Sequence, residues 1–313
     1  MAVREKASRE NPWFIPQFID TAVERICSSF LDKTLLGQWA DQYQLPARND
    51  QPQTLGLVMA GNIPLVGFHD FLCGWISGHR LRIKTSSKDH VLFQHLLEQL
   101  TKWSPDTRDR VRIQERLSGC DAYIATGSNN TGRYFAYYFG KYPHIIRRNR
   151  TSVAILDGTE TPAELKALAE DIQLYFGLGC RNVTQLYVPP GYDFLPLLEA
   201  LRDYSFLIDH HKYKHNYDYH LALLIMGNKF YMTNDSVVLT ENPAPFAPVS
   251  QVHYVFETDP AAASGRLLVN PDIQCIVGHG HLAFGQAQTP GLTDYADGVD
   301  TLAFLSELPP TAG

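Results

Sequence analysis

The sequence predicts an α/β protein with two successive domains, each a parallel sheet whose short strands alternate with helices. Three observations carry this. Apolar runs such as residues 55–59 and 121–126 are strand-length and stand beside stretches with the period of an amphipathic helix. The alternation pauses near Asn149 and restarts at Val153, which divides the chain into domains 1–149 and 150–313. At 313 residues and 44% hydrophobic, the chain is long enough for two modest cores.

Taken in order, Phe18, Ile19, Val23, Ile26, Cys27, Phe30 and Leu31 recur at helical spacing and predict one or two helices over residues 16–43. A polar connector, 46–53, is rich in turn formers. Then come a strand at 55–59, a turn through Gly61, Asn62, Ile63 and Pro64, and an apolar helix reaching Ser77. A strand at 80–84 and a helix at 88–103 follow. The strand 121–126 runs into the turn Gly127, Ser128, Asn129, Asn130, Thr131, Gly132 and an aromatic-rich helix. The second round has a strand at 153–156, a helix from Thr161 to Phe176, a strand at 185–188 and a helix at 192–201. Further strands are expected at 237–240, 252–256 and 273–277.

Composition removes several function classes. A formal net charge of -6 argues against a nucleic-acid surface, which needs clustered Lys and Arg. No run approaches the roughly 18 apolar residues of a membrane span. Residues 1–13 lack the apolar centre of a secretory signal, so a cytosolic location is expected. The five cysteines (Cys27, Cys73, Cys120, Cys180 and Cys275) are scattered without a CxxC pair, which speaks against a disulfide framework or a structural zinc site.

Four segments could carry chemistry. Cys180 sits between Gly179 and Arg181. Glycines permit close backbone approach, and a nearby cation favours the thiolate, though a packed structural thiol is the commoner reading of the residue type taken alone. The Gly127–Ser128–Gly132 turn, between strand and helix, could aim backbone N–H groups at a pyrophosphate or be a plain helix cap. Asn62 could donate to an oxyanion or simply suit a turn. Lys84 ends a strand, where it could meet ribose or phosphate or only solvent. The histidines His211, His215 and His220 lie among lysines and form no HExxH, so a polar surface or substrate rim is expected there rather than a metal site, and His279 and His281 read as loop residues.

It is the order of these features that resembles a known family. LGLVMAGNIPLVGFHDFLCGWISGHRLRIKTSSKD (55–88), ATGSNNTGRYFAYYFGKYPHIIRRNRTSVAILDG (125–158), YFGLGCRNV (175–183) and FGQAQTPGLTDYADGVDTLAFL (284–305) together resemble the aldehyde dehydrogenase superfamily. Within it they are most similar to the acyl-CoA reductase branch related to the fatty-acid reductase of bacterial bioluminescence. The resemblance implies a Rossmann-like cofactor domain followed by an α/β catalytic domain, with the active site between them. It implies Cys180 as the nucleophile and Asn62 as an oxyanion donor. Lys84, Ser87, Thr126, Gly127, Ser128 and Gly132 are implied as cofactor contacts, and the family's habits imply a homodimer or tetramer.

Departures from the superfamily pattern sharpen the expectation. Arg147 stands where hydrolytic members carry a water-activating Glu, and Ala244 where they carry a second Glu, with Glu241 nearby. Without the first, a Cys180 thioester outlives attack by water, which suits exchange with CoA. Ser87 followed by Lys88, in place of an acid, tolerates a 2′-phosphate and points to NADPH. The expected activity is reduction of an acyl-CoA or other acyl thioester to the aldehyde. Its rivals are the same site run as a CoA-acylating aldehyde oxidation, a cofactor-free acyl carrier or acyltransferase, and a non-catalytic subunit.

Overall fold

Thr54–Val58 buries its three central residues, as a strand covered on both faces must. It is the middle strand of the first of two sheets. The computed structural model describes residues 3–46, 48–127 and 129–309, which fall into two compact units: Met1–Asn149 with Gly291–Gly313, and Arg150–Pro290.

The first unit opens with helices α1 (Val3–Glu10), α2 (Pro16–Phe30) and α3 (Lys33–Gln42). Strands and helices then alternate: β1 (Thr54–Val58), α4 (Phe68–Ile76), β2 (Arg80–Lys84), α5 (His90–Trp103), α6 (Thr107–Arg110), β3 (Val111–Ile113), β4 (Ala122–Thr126), α7 (Asn129–Phe139) and β5 (His144–Arg147). The sheet order is β3-β2-β1-β4-β5, all parallel. The chain therefore steps from β1 to β3 in one direction and returns to the other side of β1 for β4. That reversal is a topological switch point between β1 and β4, the position at whose carboxyl ends doubly wound folds bind ligands.

The second unit holds β6 (Thr151–Ile155), α8 (Pro162–Gln173), β7 (Val183–Val188), α9 (Leu195–Ala200), α10 (His211–Met226), β8 (Met232–Thr233), β9 (Val238–Glu241), β10 (Gln251–Phe256), α11 (Pro260–Leu268) and β11 (Ile273–Gly278). Its sheet order is β11-β6-β7-β10-β9-β8, parallel except for the edge strand β8. Helix α8 begins where Thr161 and Glu164 form a reciprocal capping box with Pro162 in the first turn.

Three expectations need correction. Residues 291–313 do not complete the second domain: Leu292 and Tyr295, with Leu302 and Leu305 of α12 (Thr301–Ser306), bury in the first unit's core beside Trp39 and Phe68. Buried Arg147 fastens this return, pairing with Asp70 at 2.8 Å, donating to Thr301 Oγ1 at 2.7 Å and reaching the Ala296 carbonyl. The apolar helix after Pro64 starts only at Phe68, because Leu65 takes a left-handed φ of 54° and its N–H is held by Asp89. Helix α8 stops at Gln173 rather than Phe176, since Tyr175, Phe176 and Gly177 all turn left-handed (φ 56°, 60° and 71°).

Candidate active site

Most of the predicted cofactor residues share the carboxyl edge of the first sheet. Lys84 closes β2 beside Val58, and its carbonyl accepts from Met59 N–H at 3.0 Å. Asn62, half-buried, lies in the loop that leaves β1. Thr126 closes β4, and Gly127 follows, its N–H donating to the Arg147 carbonyl at 3.2 Å. Two glycines are required by crowding here. A Cβ on Gly61 would stand 2.6 Å from Ser86, and one on Gly127 would stand 2.8 Å from the Phe135 ring. The loops after β1 and β2 are thus in contact, and α7 sits tight on the end of β4.

Gly132 behaves differently. It lies inside α7, and a Cβ there would meet nothing closer than 3.7 Å, so neither a turn nor crowding requires glycine. The six-residue turn expected from the sequence is shorter than predicted, for α7 already begins at Asn129. Ser128 lies outside the described residues. What the edge offers an anion is the N-terminus of α7, Lys84 and the exposed pair Ser87 and Lys88.

Asp89, which the sequence reading passed over, ties this edge together. It is buried, and Oδ2 accepts from Leu65 N–H at 2.7 Å, joining the Asn62 loop to the Ser87 loop. Burial pushes its carboxyl up to about 8, and Oδ1 has no hydrogen-bond partner among the described residues. The acid nearest Ser87 in sequence is therefore turned inward. Its only sequence signal was a position just before α5, where an Asp ordinarily caps the helix.

The predicted nucleophile belongs to the second unit. Half-buried Cys180 precedes β7, at the amino edge of that sheet. The left-handed turn before it costs on the order of 1–3 kcal/mol at each non-glycine residue. Buried Tyr175 and Phe176 offset that cost, Phe176 packing against His210 and Tyr213 with ring centres 4.7 and 5.7 Å away. The histidine-rich stretch thus forms α10 and supports the cysteine turn through His210 and Tyr213. Among the described residues no group of three His, Cys, Asp or Glu side chains is arranged to hold a metal.

At the carboxyl edge of the same sheet His279 bridges two acids, with Nδ1 2.8 Å from Asp157 and Nε2 3.0 Å from Glu164. These contacts, Asp157 first, raise its pKa to about 9, and Thr159 and His279 lower that of Asp157 to about 2. Arg147 and Ala244 stand away from any acid–base role: the first is locked in the first unit's core, and the second offers its backbone carbonyl to His253 at 2.7 Å.

This architecture, two parallel α/β sheets with the first reversed between β1 and β4, is the aldehyde dehydrogenase fold. The structure of an Anabaena variabilis protein described as an aldehyde dehydrogenase superposes with a TM-score of 0.62 at 13% identity, over 97% of this chain and 82% of that one. A Mycobacterium tuberculosis aldehyde dehydrogenase complexed with NAD+ matches at 0.52 and 14%, over 67% and 53%. The NADP-dependent glyceraldehyde-3-phosphate dehydrogenase of Bacillus halodurans, complexed with NADP, matches at 0.52 and 12%, over 74% and 56%. The chain thus spans little more than half the length of the latter two. No family model and no curated protein matches the sequence. No helix among the described residues is long and apolar enough to cross a membrane.

Proposed function

We propose that this chain is an NADPH-dependent acyl-CoA reductase that forms an acyl-enzyme on Cys180. The observation that carries the reading is that the chain has both a dehydrogenase-type carboxyl edge, in one unit, and a cysteine on a tightly built, half-buried turn, in the other. Lys84, Ser87, Thr126, Gly127 and the start of α7, with Ser128 and Gly132 as implied by resemblance, would hold the cofactor. The fit is supported by the absence of an outward-facing acid between Ser87 and His90, since Asp89 is buried against Leu65. When bound, NADPH supplies the hydride.

The chain's own residues do the remainder. The Cys180 thiolate attacks the thioester carbonyl, and Asn62 with the Cys180 N–H stabilises the oxyanion. The carbon–sulfur bond to CoA breaks and CoA leaves as a thiolate, which takes a proton from solvent. After reduction the hemithioacetal collapses, its carbon–sulfur bond breaks, and aldehyde departs as the Cys180 thiolate returns. In sum, acyl-CoA, NADPH and a proton give aldehyde, NADP+ and CoA. Burial of Arg147 in an ion pair supports a long-lived thioester, because the position holds no base to activate water.

The test is mass spectrometry of the protein after acyl-CoA donors of graded length. One acyl group on Cys180, discharged on adding NADPH with release of aldehyde, is the expected result. Acylation without NADPH oxidation would replace this reading with acyl transfer, and no acylation would refute it.

A further inference from the structure

Two side chains outside the sequence prediction fix the backbone around Cys180. Asn182 is fully buried. Its Oδ1 accepts from Gly179 N–H at 2.7 Å, and its Nδ2 donates toward the carbonyls of Asp171, Ile172 and Leu174 at 3.0, 3.2 and 2.9 Å. Its own main-chain N–H donates to the Gly179 carbonyl at 3.1 Å. Ser152, on β6 and equally buried, donates through Oγ to the Cys180 carbonyl at 3.1 Å and touches Cys275 Sγ at 3.0 Å.

The C=O and N–H of a trans peptide point in opposite directions. The Gly179 carbonyl on Asn182 N–H therefore directs the Cys180 N–H away from Asn182, and the Asn182 side chain, by holding Gly179 N–H and the end of α8, keeps that turn in place. Holding the Cys180 carbonyl on Ser152 fixes the next peptide plane. The Cys180 Cα lies between these two planes, so both backbone torsions that aim its N–H and its thiol are set by the same pair of residues.

We propose that Asn182 and Ser152 are positioning residues that hold the Cys180 N–H on the line along which it donates to the oxyanion formed during acylation. This rests on the acyl-enzyme reading above. Neither residue touches the substrate; both act through the backbone of the nucleophile. Because a misplacement of about 1 Å can cost roughly 100-fold in rate, anchors of this kind are worth far more to acylation than to binding.

Two reagents separate aim from thiol reactivity. p-Nitrophenyl acetate acylates a thiolate through an oxyanion: the new carbon–sulfur bond forms at the carbonyl and the bond to p-nitrophenolate breaks. Iodoacetamide alkylates the same sulfur by displacing iodide at a saturated carbon, with no oxyanion. The ratio of the two rates at Cys180, located by peptide mass spectrometry, reads the aim of the N–H. Ser152→Ala is expected to lower that ratio about tenfold and Asn182→Ala about 100-fold. If Asn182→Ala fails to fold, Ser152→Ala decides alone. A Ser152→Ala ratio within twofold of wild type, or both rates falling together, overturns the proposal. So does a wild-type thiol that alkylates without being acylated. Neither CoA nor NADPH enters the assay, so a wild-type protein that reacts with both reagents yet reduces no acyl-CoA refutes the reductase reading separately.

Discussion

The candidate residues lie at opposite edges of the two sheets. In the first unit the candidate residues gather where strands end and α7 begins, an edge whose backbone offers N–H groups and positive charge. In the second unit Cys180 stands where β7 begins, just after α8 ends, an edge where a helix offers carbonyls. The second unit's carboxyl edge is instead lined by Asp157 and Glu164 and closed by His279. On the proposed reading, sheets of the same architecture would separate two tasks: holding an anionic cofactor and presenting a thiol. A helix C-terminus is a poor neighbour for a thiolate unless its carbonyls are occupied, and the Asn182 amide occupies three of them.

Variants can break this division or sharpen it. The largest effect is expected of Cys180→Ser, which should abolish acylation and reduction while NADPH affinity, read by fluorescence titration, stays within about twofold. A parallel loss of NADPH binding would dissolve the division. Arg147→Leu leaves Asp70 unpaired and should cost about 3–5 kcal/mol. Tryptophan fluorescence in urea reads this cleanly, since Trp13, Trp39, Trp75 and Trp103 all belong to the first unit. Asn62→Ala should slow turnover about 10²–10³-fold, with Cys180 alkylation by iodoacetamide nearly unchanged. Ser87→Asp should move the NADPH-to-NADH preference about tenfold toward NADH, measured as the ratio of kcat/KM values.

The smallest effect concerns His279. Its folded-state pKa is raised, so the stability it lends is complete below its ordinary value near 6.5 and is lost as pH rises through about 9. Asp157 is lowered, so its share is complete above the ordinary carboxylate range and is lost as pH falls toward about 2. Protection of the amides of residues 278–281, taken relative to the base-catalysed exchange of an open chain, should fall as pH rises through about 9 in the wild type and show no such step in His279→Gln.

How much was legible in the sequence depended on whether a feature is local. Strand β2 was read to its exact ends, residues 80–84, because its period-two pattern is bounded by turn formers. Helix α10 was not, since only Tyr213 and Tyr217 of its sixteen residues are buried and no apolar stripe marks it. Helix α1 buries only Ala7, and β3 and β5 are three and four residues long with Arg or His among them. At the candidate site, Cys180 and Asn62 were singled out by family resemblance and glycine context. Ser152 was not, because its contact with Cys275 spans 123 positions and no local pattern encodes it. The return of residues 291–313 was hidden for the same reason: an apolar helix does not announce which of two cores it will enter.

That return has a consequence for how the chain is made. The second unit is an unbroken insert, complete once Pro290 is synthesised, while the first unit must wait for the segment that follows. At translation speeds of about 5–20 residues per second, Trp39 and Phe68 lack their closing partners for on the order of ten seconds. During that interval the first core stays open, its apolar faces without the partners that finally bury them.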